Sequence, residues 1–170
     1  MLENKETFFA LSTPMGRSAT ATIRINGEKA LATLLQLSNK KKLDIKHAKN
    51  ILVNIYNKNN DLIDNVVTTY YKKPKSYTGE DLIEIHTHGN PTIINTLSKE
   101  LLELGVRPAE PGEFTKTAYL NGKIDLIQAE SVLLLINSTS TSGVNLSLNN
   151  VAGFATSELQ KTKNNLISAL

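Results

Sequence analysis

The 170-residue chain contains no cysteine and no tryptophan. Without thiols it can form no disulfide, no Cys-ligated zinc or iron–sulfur site and no thiol nucleophile. That usage fits a cytoplasmic protein. No apolar run approaches the roughly 18–20 residues that a membrane-spanning helix needs. The opening residues, Met1-Leu2-Glu3-Asn4-Lys5-Glu6, are polar and lack the cationic start and apolar centre of a signal peptide. Charge of neither sign dominates: 19 basic residues stand against 16 acidic ones, a net +3. That balance permits contact with RNA without arguing for it. Hydrophobic residues make up 40% and charged residues 21%, which excludes a disordered chain and indicates a globular one. The length suits one domain, or one domain and part of another.

The first half alternates strand and helix signals. Phe8–Ser12 reads as a strand leading into the turn-forming Thr13-Pro14-Met15-Gly16-Arg17. Ala19–Ile25 alternates with period two, placing Ala19, Ala21, Ile23 and Ile25 on one face and Thr20, Thr22 and Arg24 on the other. The apolar stripe of Gly27–Leu37 predicts a helix. Ile51–Tyr56 and Leu62–Tyr71 read as strands joined by a hairpin loop at Asn57–Asp61. Leu82–His88 alternates again. Thr92–Leu104 reads as a helix with Gly105 at its C-terminal cap. The order, β-β-α-β-β-β-α, predicts an α+β fold with a mixed sheet and two packed helices. After Pro108 and Pro111 the chain turns helical: Glu113–Leu120, Asp125–Ile136, and one continuous stretch from about Thr141 to Leu170. The last stripe carries no stop signal, which predicts a chain that ends inside a longer protein. The expected division is an α+β domain over 1–120 and the start of a helical domain over 121–170.

Several chemistries lack their motifs. There is no P-loop, no G-x-G-x-x-G, no H-E-x-x-H and no G-x-S-x-G. Glu84, His86 and His88 occupy alternate positions of one strand and so share a face. One reading is a metal site serving a small hydrolase. Another is a polar face whose members hydrogen-bond separately. Glu84 alone can also accept two N–H bonds from an amidine-like edge such as that of a pterin. Lys40, Lys41, Lys42, Lys46, His47 and Lys49 form a basic cluster that reads as a phosphate-contacting patch or a solvated loop. Leu120-Asn121-Gly122-Lys123-Ile124-Asp125-Leu126 reads as a turn between helices, with Gly122 suited to φ > 0 and Asp125 to an N-cap.

Taken in order, these blocks carry more than any one of them. Thr13-Pro14-Met15-Gly16-Arg17, Ile23-Arg24-Ile25-Asn26-Gly27, Tyr77-Thr78-Gly79-Glu80-Asp81, Glu84-Ile85-His86-Thr87-His88-Gly89, Arg107–Thr115 and Leu120–Leu126 with Gln128-Ala129-Glu130 follow one another along the chain. The series resembles the N-terminal region of the tRNA-modification GTPases called MnmE or TrmE, over essentially the whole chain. The resemblance implies an α+β domain like the folate-binding domain of aminomethyltransferases. That domain binds formyl- or methylene-tetrahydrofolate and forms a homodimer; beside the metal-dependent hydrolase on Glu84, His86 and His88, the other alternative is a dimerisation scaffold that has lost its ligand. It also implies a following helical domain into which a GTP-hydrolysing domain is inserted. With a flavoprotein partner called MnmG or GidA, such proteins add an aminomethyl or carboxymethylaminomethyl group to the wobble uridine of tRNA. GTP, magnesium and potassium would belong to that absent domain, so this segment alone is not expected to be a hydrolase. Position by position, Arg24, Glu84 and Lys123 match the family's folate-contacting residues. Two departures stand out: Met15 replaces a proline of the family's Pro-Pro-Gly-Arg-Gly-Gly, and Asn90 replaces the second glycine of His-Gly-Gly. Asparagine is the residue other than glycine best suited to φ > 0, so the turn is expected to persist.

Overall fold

The computed structural model describes residues 6–168. The chain divides into two compact units, 1–114 and 115–170.

In the first unit the period-two segments become β1 (Phe8–Leu11), β2 (Ser18–Asn26), β3 (Asn50–Tyr56), β4 (Leu62–Tyr71) and β5 (Leu82–Gly89). A two-residue strand, β6 (Arg107–Pro108), is added at one edge. The six-stranded sheet runs β3-β4-β5-β2-β1-β6. Its pairs are antiparallel except β1 with β6, which is parallel. The sheet is therefore mixed and the fold α+β, as the alternation of elements indicated. β6 escapes a sequence reading because two residues hold no period.

Ile23 and Ile25 of β2, Ile83 and Ile85 of β5, Val53 and Ile55 of β3 and Val66 of β4 turn toward one side of the sheet. They form one cluster with Leu34 and Leu37 of α1 (Ala30–Leu37) and Ile94, Leu97 and Leu101 of α2 (Pro91–Glu103). Because successive strand residues point to opposite faces, this inventory leaves Thr22, Arg24, Thr69, Tyr71, Glu84 and His86 on the other face.

α1 begins at Ala30, later than the stripe suggested. Gly27 takes φ +122°, donates its N–H to the Asp81 carbonyl (2.9 Å) and passes so close to Thr7 that a Cβ would lie 2.9 Å from its Cα. Asn90 departs from expectation as well. It sits at φ −110°, in extended backbone, and caps α2 by accepting from the Thr92 N–H at 2.8 Å. The cap replaces the positive-φ turn expected there. Gly105 does take φ +75° after α2, and Asn57 organises the β3–β4 loop by accepting from the N–H groups of Asn59 (3.0 Å) and Asp61 (2.8 Å).

α3 (Glu113–Leu120) leads into the second unit, which also holds α4 (Leu126–Asn137), α5 (Thr141–Val151) and α6 (Phe154–Ser168). Gly122 ends α3 at φ +66°. Asp125 then opens α4 with a full capping box, accepting from the Gln128 N–H while the Gln128 side chain accepts from the Asp125 N–H. The continuous helix expected from Thr141 to Leu170 is broken. Gly153 takes φ +89° and separates α5 from α6; residues 169–170 lie outside the described residues. The break is held from α4: Gln128 Nε2 donates to the Val151 carbonyl (2.9 Å), and Thr156 Oγ1 donates to Asp125 Oδ2 (2.5 Å). An apolar stripe at helical spacing runs through the junction and hides it. Among the described residues no helix is long and apolar enough to cross a membrane.

Candidate functional site

β2 and β5 are direct neighbours, and their register sets Arg24 opposite Glu84. Cross-strand partners on one face lie within side-chain reach. Arg24 Nε donates to Glu84 Oε1 at 2.8 Å. The arginine side chain is 40% exposed and the glutamate 15%, so the pair sits half in the sheet surface with one member accessible. β4 flanks the pair on the other side. Its Thr69 lies opposite Glu84, and Tyr71 donates its hydroxyl to Glu84 Oε2 across a long 3.4 Å. Burial raises the Tyr71 phenol above its ordinary pKa, and the Glu84 charge adds to the effect. The His47 ring meets Tyr71 edge-on, 6.2 Å between centroids.

This arrangement leaves capacity for a ligand. A carboxylate has about four acceptor positions. Among the described residues, those of Glu84 meet Arg24, the distant Tyr71 hydroxyl and His86 Nε2 at 3.9 Å. Arg24 uses only Nε in hydrogen bonding among the described residues, so both Nη groups remain as donors. One face thus presents a carboxylate that accepts and a guanidinium that donates.

The metal reading of Glu84, His86 and His88 does not survive the geometry. His86 Nδ1 lies 3.0 Å from Thr22 Oγ1. His88 Nδ1 lies 2.8 Å from Asp64 Oδ1, at the end of β4. Glu84 is taken by Arg24. Glu84 and His86 approach to 3.9 Å, but each of the three has a nearer partner, and no three His, Asp or Glu side chains converge as a metal site among the described residues. Asp64 accepts in addition from Thr87 Oγ1 (2.5 Å) and from the N–H groups of His88 (2.9 Å) and Asn65 (2.8 Å). Burial pushes its carboxyl upward, but these hydrogen bonds outweigh burial and hold it below the usual range. His88 therefore serves the ends of β4 and β5, and His86 the contact between β2 and β5.

The structure brings Arg24 and Glu84 together. Lys123 lies in the second unit, exposed on the turn between α3 and α4, where its N–H donates to the Ala118 carbonyl at 2.9 Å. Sequence reasoning missed Tyr71 as a partner of Glu84. The signal was available, since Tyr71, Thr69 and Val67 alternate on one strand face, but nothing in the sequence pairs that strand with Leu82–His88.

A second set of contacts anchors the loop before β5. Asn26, fully buried, donates to Glu80 Oε2 (2.8 Å) and accepts from Thr78 Oγ1 (2.5 Å). Asp81 accepts from the Tyr70 hydroxyl and from the Lys73 N–H, both at 2.9 Å. Tyr77–Asp81 is thereby tied to the last residue of β2 and fixes where β5 begins, and with it the Arg24–Glu84 register.

An α+β unit with a charged pair on its open sheet face, followed by helices, is the class of protein defined here. The chain matches the family described as GTP-binding protein TrmE N-terminus over residues 7–123, and it belongs to that family. It is 43% identical over 98% of its length to the tRNA modification GTPase MnmE of Fervidobacterium nodosum. The corresponding values are 39% over 95% for the protein of that name from Legionella pneumophila, and 40% over 98% for that from Francisella philomiragia. It covers 37%, 36% and 35% of these relatives, a little over a third of their length.

Proposed function

We propose that this chain is the tetrahydrofolate-binding, homodimerising N-terminal module of a cytoplasmic GTPase that modifies the wobble uridine of tRNA together with an MnmG-type flavoprotein. The Arg24–Glu84 pair carries the reading: a charged pair, half accessible on a sheet face, suits a flat heterocycle bearing both donors and a carbonyl. Glu84 would accept from the 2-amino and ring N–H edge of the pterin. Arg24 and Lys123 would meet the pterin carbonyl or the carboxylates of the glutamate tail, Arg24 as a fork and Lys123 as a point charge. Bound formyl- or methylene-tetrahydrofolate supplies a one-carbon unit. The residues of this chain hold and orient it. GTP hydrolysis, with magnesium and potassium, is assigned to the remainder of the longer protein, and the likeness to aminomethyltransferase folate domains is part of the same reading.

Calorimetric titration of the chain with formyl-tetrahydrofolate, beside Glu84→Ala and Arg24→Ala, tests it. A charge-assisted hydrogen bond contributes about 1.5–3 kcal/mol, so each substitution is expected to weaken binding by roughly ten- to a hundredfold. Equal affinity of both variants and the parent would remove the pair from the site. Light scattering at tens of micromolar is expected to give a dimer mass; a monomer would refute the dimerising role.

A further inference from the structure

The basic cluster that is continuous in sequence is divided in space. Its first part, Lys40–Lys42, follows α1 beside the tip of the β3–β4 hairpin, where Asn39 Nδ2 donates to Asn60 Oδ1 at 2.6 Å. Lys40 and Lys41 line a shallow recess there with Leu35 and Leu104. Leu43 and Ile45 then pack against the core, and the chain runs along the sheet to the opposite end of β4. There His47 bridges to Tyr70, Ala48 N–H donates to the Tyr70 carbonyl (2.8 Å), and Lys72 N–H donates to His47 Nδ1 (3.2 Å). β4 has 10 residues, so the two ends lie roughly 30 Å apart at about 3.3 Å per residue.

That junction joins Lys46 and Lys49 to Lys72, Lys73 and Lys75, which are distant in sequence. All five are exposed, and none forms an ion pair among the described residues. Two carboxylates are held at this end by other groups: Asp81 accepts from the Tyr70 hydroxyl and the Lys73 N–H, and Glu80 from the Asn26 side chain. Tyr71, immediately before Lys72, is the residue that donates to Glu84.

We infer that Lys46, Lys49, Lys72, Lys73 and Lys75 form a contact surface for the backbone phosphates of an RNA, and that it holds a tRNA beside the Arg24–Glu84 face. Clustered, unneutralised lysines on one surface are the electrostatic footprint of nucleic-acid binding. Tyr70 and Tyr71, at the junction, are engaged through their hydroxyls with Asp81 and Glu84, and within the two lysine segments themselves only His47 is interleaved, so the surface is assigned to phosphate contact and not to base stacking. The identity of the RNA rests on the function proposed above; the phosphate chemistry does not.

Fluorescence anisotropy of a labelled, unmodified tRNA transcript tests this across a salt series. Three chains are compared: the parent, the triple variant Lys72→Ala, Lys73→Ala, Lys75→Ala, and the charge-matched triple variant Lys40→Ala, Lys41→Ala, Lys42→Ala. Removing one lysine that neutralises a phosphate lowers the slope of log affinity against log salt by about 0.7–1. The 72–75 variant is expected to lose roughly 2–3 from that slope, while the 40–42 variant keeps the parent slope. Equal losses in both variants, no loss in the 72–75 variant, or no binding by the parent at low salt would each overturn the inference. Formyl-tetrahydrofolate is titrated into the same proteins. Loss of RNA binding with folate binding retained places the two on separate residues, and a parent that binds RNA through 72–75 but no folate refutes the folate reading alone.

Discussion

Replacing Asp64 with alanine removes the acceptor for four hydrogen bonds at the ends of β4 and β5. The carboxylate is 8% exposed and Thr87 only 2%. Its Oδ2 accepts from Thr87 Oγ1 and the His88 N–H, and its Oδ1 from the Asn65 N–H and the His88 imidazole. A hydrogen bond to a charged group contributes about 1.5–3 kcal/mol, and each buried group left unsatisfied costs about 1–3. The four share one acceptor and do not add, and the Asn65 N–H and the exposed His88 imidazole regain water. The buried Thr87 hydroxyl and the His88 N–H set the loss, at about 3 kcal/mol. For a chain of this size that lowers Tm by roughly 6–12 °C. Urea denaturation followed by circular dichroism reads it as a lower midpoint with unchanged slope. The effect also has a pH signature. Asp64 is held below its ordinary pKa, so its contribution is complete above the unfolded carboxylate value of about 3.9 and is lost as pH falls through the folded value. The gap between parent and variant is therefore expected to be constant from neutrality to mild acid and to close only below about pH 4. A loss under about 1 kcal/mol, or a gap that closes near neutrality, would refute the reasoning.

Three further substitutions test local geometry. Gly89→Ala sets a Cβ 2.5 Å from the Ser18 carbonyl oxygen, a backbone atom that cannot rotate away, so it is expected to destabilise by about 1–3 kcal/mol in urea titration. Gly105→Ala meets nothing within 4 Å and suffers only the strain of φ +75°, so its cost is expected to stay near 1 kcal/mol. Asp125→Ala deletes the α4 cap and its bond to Thr156, and should lower helical ellipticity with a loss of about 0.5–2 kcal/mol. An unchanged melting curve would contradict the capping role.

The sheet was legible where one face is buried. In Ala21–Ile25 and Leu82–His88 the alternation is clean, so both strands and the shared face of Arg24 with Thr22 followed directly, whereas a register shift between Ser18 and Ala21 leaves Ala19 exposed and off the buried face expected for it. What alternation cannot carry is the partner. That Arg24 meets Glu84, and that β4 brings Tyr71 to the same carboxylate, depends on strand order and register, set by the buried Asn26–Thr78–Glu80 contacts 52 and 54 residues apart in sequence. The same limit let Glu84, His86 and His88 read as a possible metal trio, since shared parity says nothing of Thr22 or Asp64. The helical half shows the converse failure. Leu148, Val151, Ala155 and Leu159 keep a helical spacing across Gly153, yet the backbone reverses hand there because Gln128 and Asp125 hold the two helix ends. Lys40–Lys49 read as one patch for want of any signal that Leu43 and Ile45 would draw the segment along the sheet.

The central claim is that the Arg24–Glu84 face receives a pterin. A crystal structure of the chain grown with formyl-tetrahydrofolate tests it most directly. Density is expected for the pterin with its amino edge on the Glu84 carboxylate and Arg24 within hydrogen-bond reach of the ligand. A pterin bound elsewhere on the chain, with the Arg24–Glu84 pair closed at its 2.8 Å separation and untouched, would contradict the claim.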